Sequence, residues 1–166
     1  EFEAAAGWLA ALAPPSRVAL VPGNHDATVP ASLDYQARYW ADYLAGDDGP
    51  GYPTLRVRGD IAFIGLDSAV ATAPGLASGR VDGAQLARLP ALLAACRERG
   101  LFRVVYLHHC PLAGVDSRRK HLVNHAAVAG TLAAGGAELV LHGHGHRDQR
   151  HELETVDGVA PVIAAP

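Results

Sequence analysis

The hexapeptide Leu-His-Gly-His-Gly-His at 141–146 constrains this chain more than any other stretch. It ends the short apolar run 137–141, which has the length and branching of a buried strand. In an extended chain, residues two apart point to one side, so His144 and His146 can direct their imidazoles at one point. The glycines between them allow backbone angles that a side chain forbids. Since neutral imidazole is the commonest metal ligand in proteins, the stretch predicts a metal site; a histidine-rich surface turn is the alternative.

Two other polar motifs also stand at the ends of predicted strands. GNHD at 23–26 follows the predicted buried strand 17–21, and HHCP at 108–111 follows the apolar strand 102–107. Strands of one sheet bring such ends to a common edge, where open α/β sheets bind their ligands. The side chains expected to converge there are Asn24, His108, His144 and His146. Imidazole nitrogens and an amide oxygen suit a divalent ion such as Zn, Mn or Fe.

Strand and helix patterns alternate in the middle of the chain and predict a layered α/β domain with mixed sheets. Helices are predicted at 3–13, 33–44, 82–99 and 121–132. The first of them carries Trp8, Leu9 and Leu12 on one face, and Asp82 can cap the third. Hairpins are predicted at 54–66 and 149–163.

Two polar features are interpreted as structural. His121 and His125 stand four apart on the predicted helix 121–132, like the histidines of a zinc protease helix. The glutamate that would act as the base is missing between them, so the pair is interpreted as helix surface. Asp67 ends a predicted strand, where an aspartate commonly accepts hydrogen bonds from nearby backbone.

Charge and cysteine content exclude several classes of function. The formal net charge of −3 gives no reason to expect binding to nucleic acid or to an anionic membrane. Cys96 and Cys110 are too few for a disulfide framework and suit a reducing compartment, so a cytoplasmic location is expected. No apolar run reaches membrane-spanning length, and no signal-peptide pattern opens the chain.

The three motifs, taken together, resemble the later motifs of the calcineurin-like metallophosphoesterases. GNHD, HHCP and GHGH stand in the order of that family and at the same strand ends, so the resemblance covers nearly the whole chain. LDS at 66–68, the basic loop after HHCP and LHGHGHR at 141–147 are similar to one bacterial branch. That branch contains class III cyclic-nucleotide phosphodiesterases and glycerophosphodiesterases.

The resemblance implies an α/β fold, a four-layer α/β/β/α sandwich with mixed sheets, and two metal ions (Mn, Fe or Zn). Carried over residue by residue, one ion is bound by Asn24, His108 and His144, and the other by His146. His108 is preferred to His109 because it aligns with the family's ligand histidine. His25 would bind the substrate phosphate and assist the leaving group, with Asp26 orienting its ring.

The implied reaction is hydrolysis of a phosphoester by a hydroxide that bridges the two metal ions. The expected substrate is a small-molecule phosphodiester, either a cyclic nucleotide or a glycerophosphodiester. Arg118, Arg119 and Lys120 either select anionic substrates or form a solvated loop. A catalytically inactive protein-interaction scaffold and a mononuclear zinc protein are the competing interpretations. The oligomeric state stays open.

The family's opening motifs, Asp-x-His and Gly-Asp-x-x-Asp, are not found in this chain. They would supply the remaining ligands, including the aspartate that bridges the metals. The chain also has no methionine, opens inside a predicted helix and stops inside the apolar stretch 159–164. We therefore interpret residues 1–166 as a single domain that lacks those segments and its C-terminal end. On this interpretation the fragment alone is expected to be poorly soluble, to bind one ion at most and to be inactive.

Overall fold

The computed structural model describes residues 1–29 and 31–164, and its centre is one six-stranded mixed sheet. The strands follow one another across the sheet in the order β1-β2-β3-β4-β6-β5. They are β1 (Thr54–Arg58), β2 (Ile61–Gly65), β3 (Phe102–Tyr106), β4 (Leu139–His142), β5 (Gln149–Thr155) and β6 (Gly158–Ala164). The helices are α1 (Phe2–Leu12), α2 (Ser32–Leu44), α3 (Gly83–Glu98) and α4 (His125–Gly135).

The direction of the strands determines where the polar motifs lie. Strands β2, β3, β4 and β6 run parallel, and the hairpin partners β1 and β5 close the two edges antiparallel. The segments β2-α3-β3-α4-β4 alternate as the sequence predicts. Because β3 and β4 are parallel neighbours, the residues that follow them emerge at the same end of the sheet.

The main core lies between the sheet and helices α3 and α4. It joins apolar side chains of the central strands to those on the inner faces of both helices: Ile64, Val105, Val140, Leu89, Leu93 and Leu132. Each buried aliphatic side chain of this kind contributes roughly 1.5–3 kcal/mol. Asp82 caps α3 as predicted, because its Oδ1 accepts the Gln85 backbone N–H at 2.9 Å. This core holds in place the strands whose ends carry the histidines.

Helices α1 and α2 form a smaller cluster beside the sheet. Leu9 packs with Trp40 and Tyr43, and the Trp40 indole donates to the Phe2 carbonyl. The predicted apolar face of α1 is only partly right, because Trp8 and Leu12 are exposed. The side of α1 that is covered instead carries Phe2, Ala5 and Leu9, which pack in the cluster with α2 and with Val18 and Leu20.

The predicted strand 17–21 does not form. Pro15–Arg17 is a short 3₁₀ turn, and the residues after it pair with none of the six described strands. Two arginine side chains of β1 hold this segment instead, since Arg56 donates to the Pro15 carbonyl and Arg58 to the Ser16 carbonyl. An apolar run reads as a strand in the sequence, but a strand also needs a neighbour to complete its hydrogen bonds.

The predicted helix 121–132 begins four residues late, at His125. Leu122 forms a parallel bridge with Gly79, and the Asn124 side chain bonds both the N–H and the carbonyl of Val81. These contacts hold 121–124 against the segment before α3 and prevent it from joining the helix. His121 and His125 are therefore not on one helical face, and both stay outside the predicted metal site.

A buried ion-pair network at the opposite end of the sheet gives a test of stability. The Arg103 guanidinium, 2% exposed, donates to Glu138, Asp157 and the Gly135 carbonyl at 2.5–3.1 Å. We expect Arg103→Leu to lower the free energy of unfolding by about 3 kcal/mol, because the carboxylates lose the cation that compensates their burial. Urea unfolding followed by circular dichroism measures this.

The matched control for that prediction is Arg97→Ala. Arg97 pairs with the same Asp157, but its side chain is 52% exposed. Solvent-exposed ion pairs contribute about 1 kcal/mol or less. Equal losses for the two variants would mean that burial of Arg103 adds nothing.

Candidate metal centre

The ends of β3 and β4 bring two histidines together. Hydrogen bonds continue past both strands, from the Leu107 N–H to the Leu141 carbonyl at 3.1 Å and from the Gly143 N–H to the His108 carbonyl at 3.0 Å. The extended ladder holds the two chain segments side by side beyond their last paired residues. His108 and His144 consequently project from fixed backbone at the same edge of the sheet.

Asn24 reaches the same point from a turn, whereas the sequence predicted that it follows a strand. It opens the 3₁₀ turn Asn24–Ala27, which is capped by Asp26: the carboxylate accepts the Gly23 N–H at 2.8 Å. Gln36 of α2 donates to the Asp26 carbonyl at 2.7 Å. The turn thus positions Asn24 by its own cap and by its anchor on α2.

Three potential ligand atoms lie within hydrogen-bonding distance of one another. His108 Nε2 is 2.9 Å from Asn24 Oδ1 and 3.1 Å from His144 Nδ1, and the last two atoms are 3.1 Å apart. Ligands placed about 2.1 Å from one ion and at right angles to each other are separated by about 3.0 Å. The spacing of this triangle therefore fits three ligands of one metal ion.

The chemistry of the three atoms fits a cation as well. An amide oxygen only accepts hydrogen bonds, and each neutral imidazole carries a single N–H. If His108 Nε2 and His144 Nδ1 both donate to Asn24 Oδ1, each of these nitrogens carries a hydrogen. The two N–H groups then lie against each other, with their nitrogens 3.1 Å apart. His144 Nε2 is also buried without a hydrogen-bond partner in the described part of the chain. A bound cation would use all three lone pairs at once.

Burial keeps these imidazoles neutral. It lowers the pKa of His108 to about 3, with smaller contributions from the neighbouring histidines 109 and 144. Burial also lowers the pKa of His144. Metal ligands must be deprotonated, so at neutral pH neither ring has to release a proton before binding an ion.

His109 lies beside the triangle but is engaged elsewhere. One nitrogen of each of histidines 108, 109 and 144 lies within 4.8 Å of the others. The His109 ring is fully buried, with Nδ1 2.9 Å from Ser68 Oγ and Nε2 3.1 Å from the Ala77 carbonyl. Burial lowers its pKa to about 4. Because both nitrogens already have partners, the geometry favours His108 over His109 as the ligand.

The contacts of His109 were missed in the sequence. The serine of the LDS motif and Gly79 both pack on this ring, and a Cβ at Gly79 would clash with Nδ1. The motif was visible, but no sequence signal indicated that its serine reaches a histidine 41 residues away. Asp67 is structural as interpreted: its carboxylate accepts the Ala69 N–H, and burial raises its pKa to about 6.

His146 does not lie beside His144 in the way that an extended chain would place it. Strand β4 ends at His142, and both later histidines have left-handed backbone, with φ of 68° at His144 and 49° at His146. Positive φ is uncommon for residues other than glycine. His144 turns into the buried cluster, whereas His146 is exposed. Its role as ligand of a second ion stays a prediction.

A cavity of about 640 Å³ opens next to the triangle. Its lining includes Asn24, the exposed His25, and Arg119 and Lys120 from the basic loop. Arg118 is exposed and does not line it. No hydrogen bond joins the Asp26 carboxylate to the His25 ring within the described residues, so the expected orientation of His25 by Asp26 stays a prediction. Thr28, Ser117 and the segment 72–77 complete the lining, and sequence reasoning did not single out that segment.

Gly23 provides a test of how tightly the triangle is built. A Cβ at this position would lie 2.9 Å from His108 Cε1, although the backbone angles of Gly23 (φ −101°, ψ 177°) are open to alanine. We expect Gly23→Ala to weaken zinc or manganese binding by about 10-fold by displacing the His108 ring, with little loss of helical signal. Isothermal titration of the metal measures the affinity.

Gly7→Ala serves as the control for this test. Gly7 lies inside α1, and a methyl group added there would meet no atom within 4 Å, so alanine should leave metal affinity unchanged. Alanine in the interior of a helix should also raise stability slightly. Unchanged affinity in Gly23→Ala would show that His108 is not held against this glycine.

Fold and site together define an α/β protein with a candidate metal centre, in which two histidines follow parallel strands and an asparagine opens a 3₁₀ turn. The sequence model of the calcineurin-like phosphoesterases matches residues 1–148, and the chain therefore belongs to this family. The predicted mixed α/β fold of the metallophosphoesterases is confirmed, with one six-stranded mixed sheet in the described residues. A search of curated proteins found no significant match.

Two solved structures share the fold. A crystal structure of the protein TT1561 of Thermus thermophilus is 17% identical, with a TM-score of 0.58, and the match covers 98% of this chain and 68% of that one. A dimetal phosphatase from Danio rerio is 16% identical, with a TM-score of 0.51. The second match covers 63% of this chain and 45% of the zebrafish protein, so the chain spans less than half of that relative.

Proposed function

We propose that the protein is a metal-dependent phosphodiesterase acting on small substrates. The observation that supports this most directly is the triangle of Asn24 Oδ1, His108 Nε2 and His144 Nδ1 at 2.9–3.1 Å. Family membership supports hydrolysis of phosphoric esters and a small-molecule substrate. Calcineurin-like phosphoesterases typically hold a dinuclear metal centre, and the histidine cluster here supplies part of such a site.

In this proposal the three atoms of the triangle hold one ion and His146 contributes to a second. Bound metal ions would supply Lewis-acid contacts to the phosphate oxygens and lower the pKa of a coordinated water. The described cluster contains no carboxylate, so it fits one ion better than two. Mn, Fe and Zn all suit its nitrogen and oxygen ligands.

His25 is proposed to act on the substrate. It follows a metal ligand in the sequence and lines the cavity, exposed, where a phosphate group would enter. Its imidazole can donate a hydrogen bond to a phosphate oxygen and a proton to the departing alkoxide. Such help acts on charge that develops during the reaction, so it should affect turnover more than substrate binding. Asp26 holds the turn that carries this ring.

The choice of a cyclic nucleotide or a glycerophosphodiester rests on motif resemblance. The LDS sequence, the basic loop and LHGHGHR support that branch of the family. The cavity of about 640 Å³ is large enough for either compound. The proposal includes no role for nucleic acid or membrane. None of the described helices is both long and apolar enough to cross a bilayer. Two free, buried cysteines agree with a cytoplasmic location.

A catalytically inactive scaffold is the alternative, and metal content and turnover together distinguish the two. The 166-residue chain and a version extended by its encoded upstream sequence are purified and assayed with bis(4-nitrophenyl) phosphate and 4-nitrophenyl phosphate. Mn, Zn and Fe are each supplied. We expect the extended protein to bind metal and to hydrolyse the diester faster than the monoester. Metal-free, inactive protein at both lengths would favour the scaffold, and faster monoester hydrolysis would reject the diesterase assignment.

A further inference from the structure

We infer that Arg119 and Lys120 form a second anion-binding wall beside the metal centre. The substrate is then a small phosphodiester that carries an additional anionic group outside the reacting phosphate, which favours a glycerophosphodiester with an acidic substituent over a cyclic nucleotide with a single phosphate. The inference rests on the proposed function and specifies the substrate class of the same site. It is carried by the cavity next to the triangle, by the backbone contacts that fix the basic loop, and by the charges on its walls.

The cavity has two walls that differ in charge. Its floor is formed by Asn24 and His25, which adjoin the proposed metal ligands. One wall is the basic loop, with Ser117, Arg119 and Lys120. The other wall is the segment 72–77, which presents threonine, alanine, proline, glycine and leucine and no charged residue. Arg119 and Lys120, the arginine and lysine of this lining, therefore both come from the basic loop.

Backbone contacts hold the cationic wall in place. The Ala77 N–H donates to the Arg119 carbonyl at 2.8 Å, and the Gly79 N–H donates to the His121 carbonyl at 3.2 Å. The Val123 N–H returns a bond to the Gly79 carbonyl at 2.8 Å. The segment 77–79 and the chain around Lys120 are thus hydrogen-bonded neighbours. The backbone on both sides of Lys120 is therefore fixed beside the cavity, so little backbone entropy is lost when the loop binds a ligand.

No carboxylate neutralises the two cations within the described residues. The ion pairs found there involve other arginines, at 58, 97 and 103. Asp116 stands in the same loop, but its carboxylate faces the loop after β4, with Oδ1 3.9 Å from the position that a Cβ at Gly145 would take. Two uncompensated positive charges in one concave site create a potential that attracts anions. Arg119 and Lys120 therefore bind a carboxylate or phosphate group of the substrate in this inference.

Two matched diesters distinguish binding of an additional anionic group from contact with the reacting phosphate. 4-Nitrophenyl carboxymethyl phosphate carries an extra carboxylate, and 4-nitrophenyl propyl phosphate has nearly the same size without it. In the extended protein, Arg119→Ala and Lys120→Ala should each raise KM for the carboxymethyl ester by about 10-fold and leave kcat nearly constant. KM for the propyl ester should change less than about twofold. Arg99→Ala, at the opposite end of the sheet, is the control for lost positive charge.

Each alternative result contradicts the inference in a distinct way. Equal losses on both esters would mean that the cations contact the reacting phosphate, and no loss on either would mean that they are solvated. If neither ester is hydrolysed, the proposed function is wrong, and the inference is then tested by the binding of small anions. Protein treated with EDTA should bind 2-phosphoglycolate about 10-fold more tightly than propyl phosphate, measured by NMR titration. Both variants should remove that difference, and equal affinities in the unsubstituted protein would overturn the inference.

Discussion

Replacing His108 with alanine is expected to lower metal affinity by at least about 100-fold and turnover in proportion. His108 Nε2 is the atom common to the two contacts at 2.9 and 3.1 Å, so its removal opens the triangle of ligands. Asn24 Oδ1 and His144 Nδ1 would remain 3.1 Å apart, but two ligands hold an ion far less tightly than three. Bound metal is measured by inductively coupled plasma mass spectrometry after dialysis.

His125→Ala is the matched control for that experiment. His125 begins α4, and its ring lies 6.3 Å from the His121 ring, well apart from the triangle. The two histidines have the sequence spacing of a zinc helix, so this variant also tests the competing site directly. Loss of metal in His125→Ala with retention in His108→Ala would place the metal centre at His121 and His125 instead.

The meeting of His108 and His144 at the site could be predicted from the sequence because strand direction is a strong constraint. HHCP and GHGH each follow a short apolar run, and parallel neighbours must release such residues at one edge. The hairpin across residues 59–60 was equally clear, since two alternating runs flank a glycine-aspartate turn. These features depend on local pattern and on chain direction, which the sequence contains.

The conformation at the site could not be predicted in the same way. The sequence suggested an extended chain from His144 to His146, whereas both residues take positive φ and only His144 becomes buried. A left-handed histidine is unfavourable by itself and persists when surrounding contacts compensate. Gly143 contributes such a contact through its hydrogen bond to the His108 carbonyl. That contact joins segments far apart in the chain, so periodicity does not encode it.

Long-range polar contacts also explain two wrong predictions, the start of helix α4 and the strand 17–21. Helix α4 starts late because Asn124 bonds Val81, 43 residues before it. The segment 17–21 stays outside the sheet, and arginines of β1 bond the Pro15 and Ser16 carbonyls just before it. In both cases a side chain competes successfully with regular backbone hydrogen bonding. Asparagine and arginine are common in many settings, so their presence alone gave no signal.

His25→Ala is expected to separate metal binding from catalysis. The exposed imidazole lines the cavity beside Asn24 but contributes no atom to the ligand triangle. Metal content should therefore stay near that of the unsubstituted protein. Turnover of an alkyl phosphodiester should fall by roughly 10²-fold or more, because proton donation to the leaving oxygen is lost.

The leaving group provides the internal control for this prediction. 4-Nitrophenolate needs little protonation, whereas an alkoxide needs much more, so His25→Ala should reduce hydrolysis of an alkyl phosphodiester by a larger factor than that of the 4-nitrophenyl ester. Both rates are measured per bound metal ion in the extended protein, with the alkyl diester followed by phosphorus NMR. If metal content falls while turnover per ion is preserved, His25 is a ligand. If both esters lose activity by one common factor, His25 contacts the phosphate without donating the proton.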